Sequence, residues 1–145
     1  MSTGDSYQHL GNYYNWTAAI AMNDSSSYTT DNQDANQSIC PANWTLPKSG
    51  NNVSSGSFQY LLAQYGWDGE EHYMDDPPIW EYPIRMITAA DWFGRFEEDF
   101  ETGFVWSSMS EMSDTAYANS LSMEGVFPNE GHDRINGASI RCIGR

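Results

Sequence analysis

Three histidines, two cysteines and twenty acidic residues are the side chains in this 145-residue chain best equipped for chemistry. His9, His72 and His132 are scattered, with no HxH or HExxH spacing, so they read as isolated residues and not as metal ligands or a general-base pair. There is no GxSxG elbow, no phosphate-cradling P-loop and no GxGxxG turn, so acyl transfer, nucleotide and dinucleotide chemistry leave no local signature. With twenty acids, a carboxylate pair at glycosidase separation would arise by chance and carries no information. No catalytic residue is expected, and the chain reads as a non-enzyme.

Cys40 and Cys142 are too few and too far apart for a zinc site. A disulfide between them would close a loop of about 100 residues, worth roughly 5 kcal/mol in the chain-entropy model before strain is subtracted. The bridge is the expected state, and a pair of buried thiols is the alternative. A bridge would imply an oxidising compartment. Five Asn-x-Ser/Thr strings, at Asn15, Asn23, Asn36, Asn43 and Asn52, match glycosylation acceptors, but in a chain this rich in Asn and Ser they read as products of composition.

The size, 16.4 kDa, suits one domain. Hydrophobic residues make up only 39%, yet six Trp, nine Tyr and six Phe can fill a compact core, which argues against wholesale disorder. The net charge is -14. Nucleic acid and anionic membrane surfaces both require clustered cations and are therefore excluded as expected partners. No apolar run approaches the roughly 20 residues of a membrane-spanning helix, so no membrane insertion is expected, and no signal-peptide pattern opens the chain. Sixteen of the acids fall in residues 66–145, while the first 65 residues are polar but nearly uncharged. This composition suits an extracellular or cell-surface protein whose export signal or anchor lies outside the stretch in hand. The acidic half reads first as a solvated face.

Several elements can be read along the chain. Residues 1–10 are a polar, flexible segment, and 11–145 form a single domain. Aromatic and aliphatic residues from Gly11 to Met22 recur near helical spacing and predict a short helix. Residues 23–38 are a polar loop. Phe58, Leu61, Leu62 and Tyr65 fall at i, i+3, i+4 and i+7, which predicts an amphipathic helix capped by Ser55 or Ser57. Residues 67–84, with three Pro and six acids, form an acidic insertion loop. Thr88–Phe100 is ambiguous, with a helix stripe from Trp92 to Phe100 interrupted by Gly94. Short strands are expected at Phe104–Ser108, Ala116–Met123, Val126–Phe127 and Ala138–Ile143. The expected core is Trp16, Trp44, Phe58, Leu61, Leu62, Trp106, Leu121 and Ile140.

Taken in order, the segments Gly11-Asn-Tyr-Tyr-Asn-Trp-Thr-Ala-Ala, Ser38-Ile-Cys-Pro-Ala-Asn-Trp-Thr-Leu-Pro, Phe104-Val-Trp-Ser-Ser and Gly137-Ala-Ser-Ile-Arg-Cys-Ile form a constellation. It resembles the Fibrobacter succinogenes major paralogous domain family, a branch of the C-type lectin-like fold, over residues 11–145. Members typically read GNxYxWxAA, SICPxGWRLPT, YWSS and GFSVRCV at these places. The chain departs at Asn43, Thr45, Lys48 and Ala138, where Gly, Arg, Thr and Phe are usual. The resemblance implies an α+β fold with two short helices, a small antiparallel sheet and long irregular loops. The Trp-x-Leu-Pro stretch is also similar to the formylglycine-generating-enzyme branch, but that enzyme's reactive cysteine pair has no counterpart here.

The resemblance further implies that ligand contacts lie on long loops and on the last strands. Residues 92–136 hold the aromatic and charged side chains suited to contact. The candidates there are Trp92, Phe93, Arg95 and Phe96, then Met109, Met123 and Glu124. Phe127, Asn129, Glu130, His132, Asp133, Ile135 and Asn136 complete the set and are expected on the surface. Relatives serve as variable proteins of diversity-generating retroelements, and His132, Asp133, Ile135 and Asn136 are reachable by adenine changes from the Asn and Tyr codons found there in framework relatives. No cofactor is expected. Calcium needs about six to eight oxygen ligands. Phe127-Pro-Asn-Glu is similar to the Pro-containing calcium motifs of sugar-binding lectins, but the acid or amide before the proline and a following Trp-Asn-Asp are missing. The expected function is a ligand-binding module for a protein or glycan at the cell surface. A structural or pilus-associated domain and a carbohydrate-active enzyme are the alternatives.

Overall fold

The computed structural model describes residues 12–23, 26–29, 33–49, 57–64, 103–111, 117–122 and 127–144. The N-terminal segment 1–10, the acidic loop 67–84 and the ambiguous stretch 88–100 lie outside them. In chain order the elements are α1 (Trp16–Ala19), β1 (Trp44–Thr45), α2 (Phe58–Gln64), β2 (Phe104–Ser110), β3 (Tyr117–Ser122), β4 (Phe127–Asp133) and β5 (Ile143–Gly144). The architecture is α+β. β2, β3 and β4 form an antiparallel sheet in that order, and β1 pairs antiparallel with β5 in a separate ribbon.

α1 is shorter than the spacing of its aromatics suggests, and both of its ends explain why. Asn15 caps the start, its side-chain oxygen accepting from the Ala18 N–H at 2.8 Å. The end is a Schellman closure, in which the Ala21 N–H donates to Ala18 O at 2.9 Å and the Met22 N–H to Thr17 O at 3.0 Å. That closure needs a left-handed residue, and Ala21 supplies it with φ of 55°. α2 forms where the i, i+3, i+4 stripe predicts it. Ser57 is its cap, with Oγ accepting from the Tyr60 N–H at 3.1 Å, and Phe58 and Leu62 face the interior.

Trp16, Ala19, Ile20, Tyr28, Ala35, Leu46, Trp106 and Ala138 make the main core, with Tyr14, Met22, Cys40, Phe104 and Ile140 packed against it. The two buried indoles act as cross-ties. Trp16 Nε1 donates to Ser107 O at 2.9 Å, and Trp106 Nε1 donates to Tyr14 O at 2.6 Å. Each N–H that would otherwise be costly to bury is thereby satisfied by backbone from the far end of the chain.

β2 is buried almost throughout, because irregular chain covers the edge that β3 leaves open. Trp106 N–H donates to Ser139 O at 3.0 Å, Ser108 N–H to Pro47 O at 2.9 Å and Ser110 N–H to Gln33 O at 3.0 Å. The buried serines of this strand are bonded rather than stranded. Ser108 Oγ donates to Asp34 Oδ1 at 2.7 Å, and Ser107 Oγ accepts from the Met109 N–H at 3.0 Å within a register shift between Trp106 and Ser110.

Trp44 corrects the expected core, because it is 50% exposed. A turn closed by the Trp44 N–H on Pro41 O, with Asn43 at φ 68°, delivers it to the ribbon, where its partner Gly144 is exposed as well. Leu61 and Ile140 are half-buried. The disulfide forms. Cys40 and Cys142 are bonded with Cα atoms 5.7 Å apart, joining the stretch before β1 to the residue before β5.

Candidate functional site

The last part of the face that the sequence singles out, from Phe127 to Asn136, is built on β4 and the turn after it. β4 pairs along β3, with Tyr117 opposite Asp133, Ala118 opposite His132 and Ser120 opposite Glu130. The turn closes through the Asn136 N–H donating to Asp133 O at 3.0 Å. Beyond it the Ala138 N–H bonds Tyr14 O at 3.0 Å, so the turn is fixed at both ends to the frame.

The middle of the turn is held from inside by Arg134, which is only 3% exposed. Its guanidinium carbon lies 4.6 Å from the centroid of the Trp16 ring, and Nη2 donates to Tyr28 O at 2.8 Å. Tyr28 itself meets Trp16 edge-on with centroids 5.4 Å apart. The Arg134 carbonyl in turn accepts from the Trp16 N–H at 3.0 Å. A buried guanidinium is tolerated only with such partners, and the flat ring face and a backbone oxygen supply them.

Between Arg134 and Asn136, Ile135 points outward and is 84% exposed. Asn136 turns back in and is 6% exposed, and among the described residues its Nδ2 meets no hydrogen-bond partner. Three consecutive residues therefore invert the usual order, with a cation and an amide inside and an aliphatic side chain in water.

The structure leaves Glu130 and Ile135 exposed and Asp133 half-buried, and corrects three of their companions. His132 is 4% exposed, its ring stacked on Phe104 at 4.0 Å and tilted against Trp106 at 5.0 Å, so it belongs to the interior. Asn136 is buried by the turn geometry. Met109 is buried in the shifted segment of β2. Phe127 and Asn129 lie on β4. Trp92, Phe93, Arg95, Phe96, Met123 and Glu124 lie outside the described residues.

Sequence reasoning missed Arg134 and Glu111. Nothing local marks Arg134, because its partner ring lies at the other end of the chain. The Glu111 carboxylate lies over Gly131, where a side-chain carbon would collide with it. The strand read from the sequence ended at Phe127, so Gly131 gave no signal there; the structure extends β4 to Asp133 and puts this glycine inside it.

No family model matches the chain, and neither a curated protein nor a solved structure matches it. Among the described residues no group of three or more His, Cys, Asp or Glu is arranged to hold a metal ion, and no helix is long and apolar enough to cross a membrane. The disulfide fits an oxidising, extracellular-type environment.

Proposed function

We propose that this chain is a non-enzymatic recognition module of the cell surface, a C-type lectin-like scaffold that presents the end of β4 and its turn to a ligand. The observation that carries the reading is the inverted triplet Arg134-Ile135-Asn136. Folding alone would favour the opposite arrangement, because burying an isoleucine contributes about 1.5–3 kcal/mol, whereas an unbonded buried amide costs about 1–3 kcal/mol. Local rules that fail together in an otherwise consistent fold mark a site selected for something other than stability.

Three further features support it. The turn is rigid through backbone and side-chain bonds, so little entropy would be lost when it docks. The resemblance to the Fibrobacter succinogenes major paralogous domain family puts ligand contacts in this region, and diversification by a retroelement would act on the outward residues of the same turn. The disulfide suits display outside the reducing cytosol.

The test is a binding screen of the intact, oxidised chain against glycan arrays and displayed protein libraries, repeated with Ile135→Asp. Ligands whose binding disappears in the variant, at an unchanged unfolding midpoint, support the reading. A complete lack of ligands sensitive to this turn sinks it.

A further inference from the structure

We propose that Asn43 is an acceptor for an N-linked glycan, and that the first sugars of this glycan lie over the exposed indole of Trp44. This modification is independent of the turn after β4 and of what binds there.

Composition accounts for the five Asn-x-Ser/Thr strings as a set, but the structure sets Asn43-Trp44-Thr45 apart. At Asn15 the aromatic that follows, Trp16, is fully buried, and the Asn15 side chain is occupied as the cap of α1. At Asn36 the next residue is Gln37, which offers no apolar face, and the Ser38 hydroxyl accepts from the Cys40 N–H at 3.3 Å. The strings at Asn23 and Asn52 reach outside the described residues. At Asn43 both reacting groups are open. Among the described residues neither the Asn43 amide nor the Thr45 hydroxyl enters a hydrogen bond. Asn43 stands at φ 68° in a turn whose other residues, Pro41 and Ala42, are exposed as well, so a bulky branch has room to leave it.

Trp44 gives such a branch a surface to rest on. Its side chain is left in water, and its cross-strand partner Gly144 has no side chain to cover it. Consecutive Cα atoms are about 3.8 Å apart, so sugars attached at Asn43 start within reach of the indole. A sugar ring has an apolar C–H face, and laying it on the indole removes apolar surface of both from water.

The transfer needs a co-substrate, a polyprenyl-pyrophosphate-linked oligosaccharide, and the transferase that uses it. Asn43 Nδ2 forms a bond to the anomeric carbon of the first sugar. The bond from that carbon to the pyrophosphate oxygen breaks, the lipid pyrophosphate leaves, and the amide proton passes to a base of the transferase. The disulfide fits the oxidising compartments in which such transfer takes place. The β1–β5 ladder does not close the string off during synthesis. Cys142, which ties the ribbon shut, lies 102 residues after Cys40. At about 5–20 residues per second it is made roughly 5–20 s after the acceptor.

The experiment secretes the full chain from cultured eukaryotic cells and maps it by glycopeptide mass spectrometry. Asn43 is expected to carry glycan in most secreted molecules, Thr45→Val to abolish it and Thr45→Ser to retain it. Enzymatic removal of the glycan should raise acrylamide quenching of tryptophan fluorescence. It should also lower the unfolding midpoint by about 2–4 °C, the scale of one aromatic face exposed in a domain of this size. Both changes should vanish in Trp44→Ser, which keeps the acceptor string. Circular dichroism confirms that each variant is folded. Secreted, disulfide-bonded chain with Asn43 unmodified overturns the proposal. Glycan at Asn43 whose removal leaves quenching and midpoint unchanged, or changes them equally in Trp44→Ser, overturns the covering of Trp44.

Discussion

Arg134 lays its guanidinium over the indole of Trp16, 4.6 Å from the ring centroid, and this pairing joins the turn after β4 to the first helix. The same arginine donates to the Tyr28 carbonyl, so three distant stretches meet on one buried charge. Arg134→Ala is expected to cost about 2–4 kcal/mol in urea unfolding, because it opens a cavity and strands the Tyr28 oxygen. Arg134→Lys should cost less, about 1–2 kcal/mol, since it keeps the charge but loses the flat stack and the fork. No loss for Arg134→Lys would show that charge alone matters, and equal losses for the two variants would show that keeping the charge rescues nothing.

Asp34 and Lys48 form an ion pair of 2.8 Å with both side chains about 40% exposed, so the pair itself contributes little. Asp34 has a second role, accepting from the buried Ser108 hydroxyl. Lys48→Ala should therefore change stability by less than about 1 kcal/mol, whereas Asp34→Ala should cost about 1–3 kcal/mol more by leaving that hydroxyl without its acceptor. Thermal or urea titration of both variants checks the asymmetry, and equal effects would contradict it.

Ala21 closes α1 in a left-handed conformation at φ 55°, where a Cβ is disfavoured by roughly 1–2 kcal/mol. Ala21→Gly should stabilise the fold by about 0.5–1 kcal/mol once the extra freedom of the unfolded glycine is deducted. The residue is exposed, so no packing is lost. A lower unfolding midpoint for this variant would mean that the Schellman closure is not what ends the helix.

Removing the disulfide with the paired substitution Cys40→Ala and Cys142→Ala should cost about 2–4 kcal/mol, as expected for so long a loop. The loss should also be local. Ala138 and Ser139 keep their own bonds to Tyr14 and Phe104 without the bridge, while β1 and β5 share only two residue pairs. Hydrogen exchange should accelerate in residues 143–144 and 44–45 well before β2. Uniform acceleration across the described strands would contradict this order.

The parts of the fold written locally were legible in the sequence. The Phe58–Leu62 stripe needed only helical spacing, which left Ser55 and Ser57 both open as its cap, and the strand starting at Phe104 needed only its composition. The disulfide followed from counting. Orientation was harder to read. His132 lies in a polar stretch, and only the β3–β4 register and the nearness of Phe104 and Trp106 turn it inward. Trp44 has the composition of a core residue, but the turn at Asn43 carries it to a ribbon open to water. The inversion at residues 134–136 was invisible for the same reason, since it depends on Trp16 and Tyr28 being in place to receive Arg134.

The covering of β2 has a consequence for crowded surroundings. A strand with a naked flank templates backbone pairing between copies, the first step toward aggregates and fibrils. Here Gln33, Pro47 and Ser139 occupy the main-chain groups along that flank. Copies held close together can thus stay separate along β2 without charged gatekeepers inside that strand.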